Sequence, residues 1–159
     1  MTTGHEIALR LRAAYWSMHR KTQALLAASA VTADQFVILS LLDEDDGITQ
    51  QELVRRASSD PNTVRPMLVL LEKRHLVLRR PHPSDGRAYS ITLTDQGRRT
   101  YVELAAKIRP FQDRLSALFR PAEAGNLIDF LERIEKTVKS DDQSRHAEES
   151  SRTAASAEA

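Results

Sequence analysis

The stretch from Leu76 to Gly97, LVLRRPHPSDGRAYSITLTDQG, constrains the fold of this chain more than any other. Hydrophobic spacing changes there from a helical period to a period of two. In its second half Tyr89, Ile91 and Leu93 alternate with Ala88, Ser90 and Thr92, the pattern of a half-buried strand. A turn of five residues, Pro83 to Arg87, joins this run to the one that begins at Leu76, so the segment predicts a β-hairpin. Gly86 permits the tight turn, and Pro81 and Pro83 bracket His82 at its base. Two short helices are predicted just upstream. Thr49-Gln50-Gln51-Glu52 is a capping box that opens a helix carrying Leu53, Val54 and Ala57. Ser58 and Ser59 form a turn, Asp60 is an N-cap, and Pro61 takes the first helical position, where its missing N–H costs nothing. Val64, Met67, Leu68 and Leu71 then recur at the spacing of a helix face turned to a core.

The flanking segments read as helices. Residues 6–28 carry Ile7, Leu11, Ala14, Met18 and Leu25 on one stripe, with Tyr15, Trp16 and His19 beside it. Thr32-Ala33-Asp34-Gln35 is another capping box, and Phe36, Leu39 and Leu42 give the helix after it a buried face. The acidic run Asp43 to Asp46, followed by Gly47, ends that helix. Thr94 caps a long helix through Leu118, which Pro110 is expected to kink or split. Pro121 opens a last helix, with Leu127, Ile128, Leu131, Ile134 and Val138 spaced as a buried stripe. Residues 140–159 contain no large apolar side chain to repay ordering, so a disordered tail is predicted. The expected fold class is mainly α with a small β-hairpin, a winged helix-turn-helix.

Charge points to a partner. The chain has net charge +1, yet residues 55–100 hold ten Lys and Arg against four Asp and Glu, a local net of +6. Focused positive potential suits phosphate binding, although an Arg-rich solvated surface would give the same count. The chain has no cysteine, which excludes disulfides and thiolate metal sites. No apolar run approaches the roughly 20 residues of a membrane span, and the N-terminus has no signal-peptide core. A cytoplasmic location and no membrane partner are expected.

Double-stranded DNA is the predicted partner. A recognition helix meets base edges with its N-terminal residues, here Asn62, Thr63 and Arg65. Asn can pair bidentately with adenine and Arg with guanine. Ser58, Ser59 and the helix N-terminus can hold phosphates. Arg79 and Arg80 make the hairpin basic, and Arg87 at its tip can reach the minor groove, with Asp85 placed to orient the guanidinium.

The run Asp85-Gly86-Arg87-Ala88-Tyr89-Ser90-Ile91-Thr92-Leu93-Thr94-Asp95-Gln96-Gly97 resembles the D-x-R-A…L-T-x-x-G signature of the MarR family of bacterial transcription regulators. The element order is similar over roughly residues 6–139, and the resemblance is specific over 49–97. It implies a homodimer on a pseudo-palindromic operator, switched by a small molecule or by stress and most often repressing. It also implies a winged helix-turn-helix DNA-binding lobe at 32–94 and a helical dimerisation region at 6–31 and 95–139. Two residues depart from the pattern. His75 stands where the family usually has the glycine that ends the recognition helix in a left-handed conformation. Pro66 lies inside that helix, where it removes a hydrogen bond and can re-aim Asn62, Thr63 and Arg65.

Other candidates have plainer readings beside them. Arg12, Tyr15, Trp16 and His19 are candidates for a pocket taking a small aromatic or carboxylate effector, while core or interface packing is the simpler explanation of the aromatics. The five histidines show no tight ligand spacing, so no metal site is predicted. The acidic run Asp43 to Asp46 could hold a cation or be a solvated helix end. There is no G-x-S-x-G, no phosphate-binding glycine loop and no paired-carboxylate motif. No catalytic residue and no cofactor are therefore expected. The alternative function is a winged-helix protein-interaction module that does not bind DNA, since fold does not fix function.

Overall fold

The computed structural model describes residues 3–82 and 88–157, with side chains through Ser140. It divides into two compact units, Met1–Pro110 and Phe111–Ala159. In the first unit the order is α1 (Gly4–Leu25), α2 (Ala33–Glu44), β1 (Ile48–Thr49), α3 (Gln50–Arg56), α4 (Pro61–Lys73), β2 (Val77–Pro81) and β3 (Tyr89–Leu93). α5 (Asp95–Ser116) runs across the division, and α6 (Pro121–Ala157) lies in the second unit. No helix among the described residues is long and apolar enough to cross a membrane.

The caps form largely where the sequence places them. Thr32 and Gln35 make both halves of a capping box on α2. On α3 only one half forms: Thr49 accepts from the Glu52 N–H, while the Glu52 carboxylate turns to Arg55 instead. The sheet has three antiparallel strands in the order β1-β3-β2. β1, which hydrophobic alternation does not reveal, pairs Ile48 with Ile91 and Thr49 with Ser90. Two residues are too few to show a period of two.

Phe36, Ile38, Leu39 and Leu42 of α2 pack with Leu53 of α3, Val64, Leu68 and Leu71 of α4, Val77 of β2 and Ile91 of β3 in one core, which Leu104 and Ile108 of α5 close. Met67, expected in the α4 stripe, is only partly buried.

α4, β2 and α5 meet at one tight junction. His75 follows α4 with φ 56°, the left-handed conformation that a glycine usually supplies at this point. The His75 N–H donates to the Glu72 carbonyl and the Leu76 N–H to the Leu71 carbonyl, both at 2.9 Å, which is the Schellman pattern of helix termination. The Thr94 hydroxyl donates to the His75 carbonyl at 2.6 Å and accepts from the Gly97 N–H at 2.8 Å, capping α5. Gly97 lies so close to Leu76 that a Cβ on it would stand 1.9 Å from the Leu76 carbonyl oxygen.

Three expectations are corrected. α5 continues without a break through Pro110. The carbonyl that loses its donor is that of Ala106, and both residues are exposed, so water can serve in place of the missing N–H. The apolar stripe of α6 is not buried in the single chain: Leu127, Ile128, Leu131, Ile134 and Val138 are all exposed. Finally, α6 extends through Ala157, where composition predicts a disordered tail from residue 140. That segment has neither Pro nor Gly, and its Ala, Glu, Arg and Gln residues favour a helix even without an apolar face to pack. α1 likewise has no fully buried residue: of its predicted stripe Ile7, Ala14 and Met18 are exposed, and Leu11 and Leu25 only half-buried.

Candidate nucleic-acid interface

α3, its turn and α4 form the helix-turn-helix. The turn rests on Ser58, which adopts φ 47°. The Ser58 N–H donates to the Arg55 carbonyl and the Ser59 N–H to the Val54 carbonyl, each at 3.2 Å, a second Schellman termination. Ser58 is exposed and Ser59 half-buried, beside the start of α4.

Asp60 caps α4 more completely than its position alone suggests. Its Oδ1 accepts from the Asn62 N–H at 2.9 Å and from the Thr63 N–H at 3.0 Å. Its Oδ2 accepts from the Thr63 hydroxyl at 2.6 Å. The hydroxyl bond first, then the backbone donors, hold the Asp60 carboxyl below the usual carboxylate range. Two consequences follow for the predicted contacts. The leading N–H groups of α4 are already taken by a carboxylate, so this helix end is poorly suited to phosphate. The Thr63 hydroxyl proton is committed to Asp60, so toward a base this hydroxyl can serve only as an acceptor. Asn62, Thr63 and Arg65 are all exposed. α4 runs unbroken through Pro66, which is exposed as well.

The hairpin divides the predicted arginines. Strand register pairs Arg79 with Ile91 and Arg80 with Ser90, so the two arginines point to opposite faces. Arg79 shares the face of Val77. Its Nη2 donates to Gln50 Oε1 at 3.3 Å, and its guanidinium lies 5.2 Å from the centre of the Tyr89 ring. Its Nε is buried and unpaired among the described residues. Arg79 is therefore held within the fold, between α3 and β3, whereas Arg80 is exposed. Asp85 and Arg87 lie outside the described residues.

Part of the basic excess is neutralised internally. Arg56 pairs with Glu44 at 3.0 Å and Asp45 at 3.3 Å. Arg98 pairs with Asp43 at 2.9 Å and Asp46 at 3.5 Å. Asp46 also accepts from the Leu93 N–H at 3.3 Å, which ties the acidic run to the sheet. The run predicted as a solvated helix end or cation site is thus a bracket closed by two arginines. Arg55 pairs with Glu52 at 2.5 Å, and Arg74 donates to the Ala30 and Ser29 carbonyls at 2.6 and 3.2 Å. Arg65, Lys73, Arg80 and Arg99 have no ion-pair partner among the described residues.

The α1 candidates gather on one helix. The ring centres of Tyr15 and Trp16, and of Trp16 and His19, are both 5.4 Å apart, and those of Tyr15 and His19 are 5.7 Å apart. His19 Nδ1 lies 3.7 Å from Asp34 Oδ1. Arg12 and Trp16 line an open hollow with Leu9, Ala13, Ser17 and Arg20. All of these are α1 residues, so the hollow is a concave helix surface and not an enclosed cavity. No group of three or more His, Asp or Glu among the described residues is placed to hold a metal.

Comparison with known proteins gives this geometry a context. Residues 31–89 match the sequence profile of the MarR family. An HTH-type transcriptional regulator of Bacillus subtilis, YdgJ, is 30% identical over 112 residues, which span 70% of this chain and 68% of the relative. The transcriptional repressor CouR, solved bound to a 23-mer DNA duplex, is 27% identical with a TM-score of 0.69, over 84% of this chain and 98% of that one. BpsR of Bordetella bronchiseptica, whose DNA binding is regulated by 6-hydroxynicotinic acid, is 25% identical with a TM-score of 0.73, over 85% and 96% of the two chains.

Proposed function

Because this chain belongs to the MarR family of transcriptional regulators and is not an enzyme, we propose that it represses transcription as a homodimer bound to a pseudo-palindromic operator in the cytoplasm, and that a small molecule releases it. The observation that carries the reading is the outward face of α4. Asn62 and Arg65 stand exposed at the N-terminal end of a capped helix, and Arg65 has no ion-pair partner among the described residues. These are the side chains that read adenine and guanine in a major groove. Arg80, on the outer face of β2, and the hydroxyls of Ser58 and Ser59 are suited to the flanking phosphates. Arg87, with Asp85 beside it in sequence, is assigned to the minor groove. Arg79 serves the fold of the wing.

In this reading residues 32–94 form the DNA-binding lobe, and residues 6–31 and 95–139 the dimerisation region. The support is the unpartnered apolar side chains of α1 and α6, which a second copy would cover. Two recognition helices about 34–36 Å apart meet successive major grooves. An effector need only prefer a dimer with another spacing, and it shifts the equilibrium by its differential affinity alone. Arg12 beside Trp16 suits an aromatic carboxylate, the cation for the carboxylate and the indole for the ring. In the dimer the hollow of α1 would need a second wall.

The test is selection of genomic fragments by the purified protein at near-physiological salt, with Arg65→Ala in parallel. Wild type should recover a palindromic site, and the variant should lose preference at one position per half-site. Absence of any enrichment would favour the protein-interaction alternative.

A further inference from the structure

We propose that Pro66 is a specificity-determining residue whose ring reads the C5-methyl group of a thymine in each operator half-site. The inference rests on the DNA-binding reading above and adds an apolar contact to the hydrogen bonds assigned to Asn62 and Arg65.

Geometry comes first. Val64, Leu68 and Leu71 mark the buried side of α4. At 100° per residue the line directly opposite runs through Asn62, Pro66, Val69 and Lys73. Asn62, Pro66 and Lys73 are exposed, and Val69 is half-buried. Pro66 therefore occupies the outermost ridge of the helix, one turn beyond Asn62. A helix lying in a major groove turns that ridge to the base edges.

Cost comes second. Pro66 is the sixth residue of α4, past the first turn where proline is tolerated. It leaves the Asn62 carbonyl without its helical donor, and almost any other residue would make a better helix. Nothing in the fold compensates, because the ring is exposed and belongs to no part of the core. A local rule broken at the centre of a binding face, with no packing return, points to the binding.

Chemistry decides what is bound. Proline has no N–H and no side-chain donor or acceptor, so it cannot read the hydrogen-bond pattern of a base pair. In the major groove the distinctive apolar group is the thymine methyl. The closed ring also has no rotamer freedom to lose on contact. The rise from Asn62 to Pro66 is about 6 Å, close to two base-pair steps. The thymine should therefore lie within about two base pairs of the base that Asn62 contacts.

The experiment uses the operator recovered by selection. Each thymine is replaced in turn by deoxyuridine, which deletes the methyl and leaves the hydrogen-bonding edge intact. Wild-type affinity should fall about fourfold at one thymine per half-site, the worth of one buried methyl, and about tenfold or more when both half-sites are changed. Pro66→Ser should bind the operator, keep the preferences set by Asn62 and Arg65, and ignore that deoxyuridine. Pro66→Ala, which keeps a single methyl, should retain a smaller penalty. Both variants regain the helical donor, so their denaturation midpoints should not fall below wild type. Indifference of the wild type to every deoxyuridine overturns the proposal, as does an undiminished penalty at the same thymine in Pro66→Ser. If the wild type selects no sequence at all, the DNA reading fails and this inference falls with it.

Discussion

Gly97→Ala and Gly125→Ala make the same chemical change in two helices and should have opposite effects. In α5, the Cβ added by Gly97→Ala would stand 1.9 Å from the Leu76 carbonyl oxygen and 2.9 Å from its carbon. Both are backbone atoms held by the Schellman turn, so neither can rotate away. Relief requires the start of α5 to withdraw by more than about 1 Å, given normal contacts near 3.5 Å. That movement strains the Thr94 N–H bond to the Leu76 carbonyl, now 3.1 Å, and the Thr94 hydroxyl bond to the His75 carbonyl. Overpacking costs about 1–3 kcal/mol and each weakened hydrogen bond about 1 kcal/mol, against a gain of about 1 kcal/mol in helix propensity. The net loss is about 3 kcal/mol, or roughly 6–12 °C in Tm. At Gly125 in α6 nothing lies within 4 Å of the added carbon. That position faces away from the Leu127, Leu131, Ile134 and Val138 stripe, so the change should stabilise by about 0.5–1 kcal/mol. Urea denaturation followed by circular dichroism measures both. Equal shifts in the two variants, or a Gly97→Ala protein as stable as wild type, would refute the reasoning.

His75→Gly should raise stability by about 0.5–1 kcal/mol, since the left-handed strain relieved is larger than the extra entropy of an unfolded glycine; His75→Ala, which keeps the Cβ, should give no such gain in the same denaturation assay. Leu131→Asp should dissociate the dimer in sedimentation experiments while leaving the helical content intact, and a persistent dimer would move the interface elsewhere. Asp60→Ser should keep an N-cap yet remove a negative charge from the DNA face, so operator binding at neutral pH should tighten by fluorescence anisotropy; unchanged affinity would show that Asp60 does not face the phosphates. Because the folded pKa of Asp60 is depressed, its contribution to stability is present above the ordinary carboxylate value and lost as pH falls through the folded one. The acid limb of the stability profile should therefore flatten in Asp60→Ser.

Local signals in the sequence are legible where one short segment decides its own conformation. Thr32, Thr49, Asp60 and Thr94 all cap the helices assigned to them, and the alternation at Ile91 and Leu93 locates β3. What escapes depends on contacts between distant residues. β1 exists because Ile48 meets Ile91, and Arg79 is drawn inward by Gln50 and Tyr89. The acidic run is a bracket because Arg98, which lies 55 residues beyond Asp43, folds back onto it. Spacing also cannot distinguish a stripe buried within the chain from one left for a second copy, which is why the α6 stripe reads as core from the sequence.

Arg55, Arg56, Arg74, Arg79 and Arg98 are half of the basic side chains between residues 55 and 100, and all five are committed within the protein. The acidic run acts as a covalently attached counterion. A duplex approaching this surface meets only the uncommitted cations, and only those can displace condensed sodium or potassium from its phosphates. If the other five basic residues of that stretch in each protomer meet phosphate, the proposed dimer would engage about ten phosphates through it, and the plot of log affinity against log salt should have a slope near about −9. Counting all ten basic residues of that stretch would predict a slope about twice as steep. On the proposed DNA-binding reading, the bracket would limit nonspecific attraction to chromosomal DNA and leave a larger share of the discrimination to the outer ridge of α4.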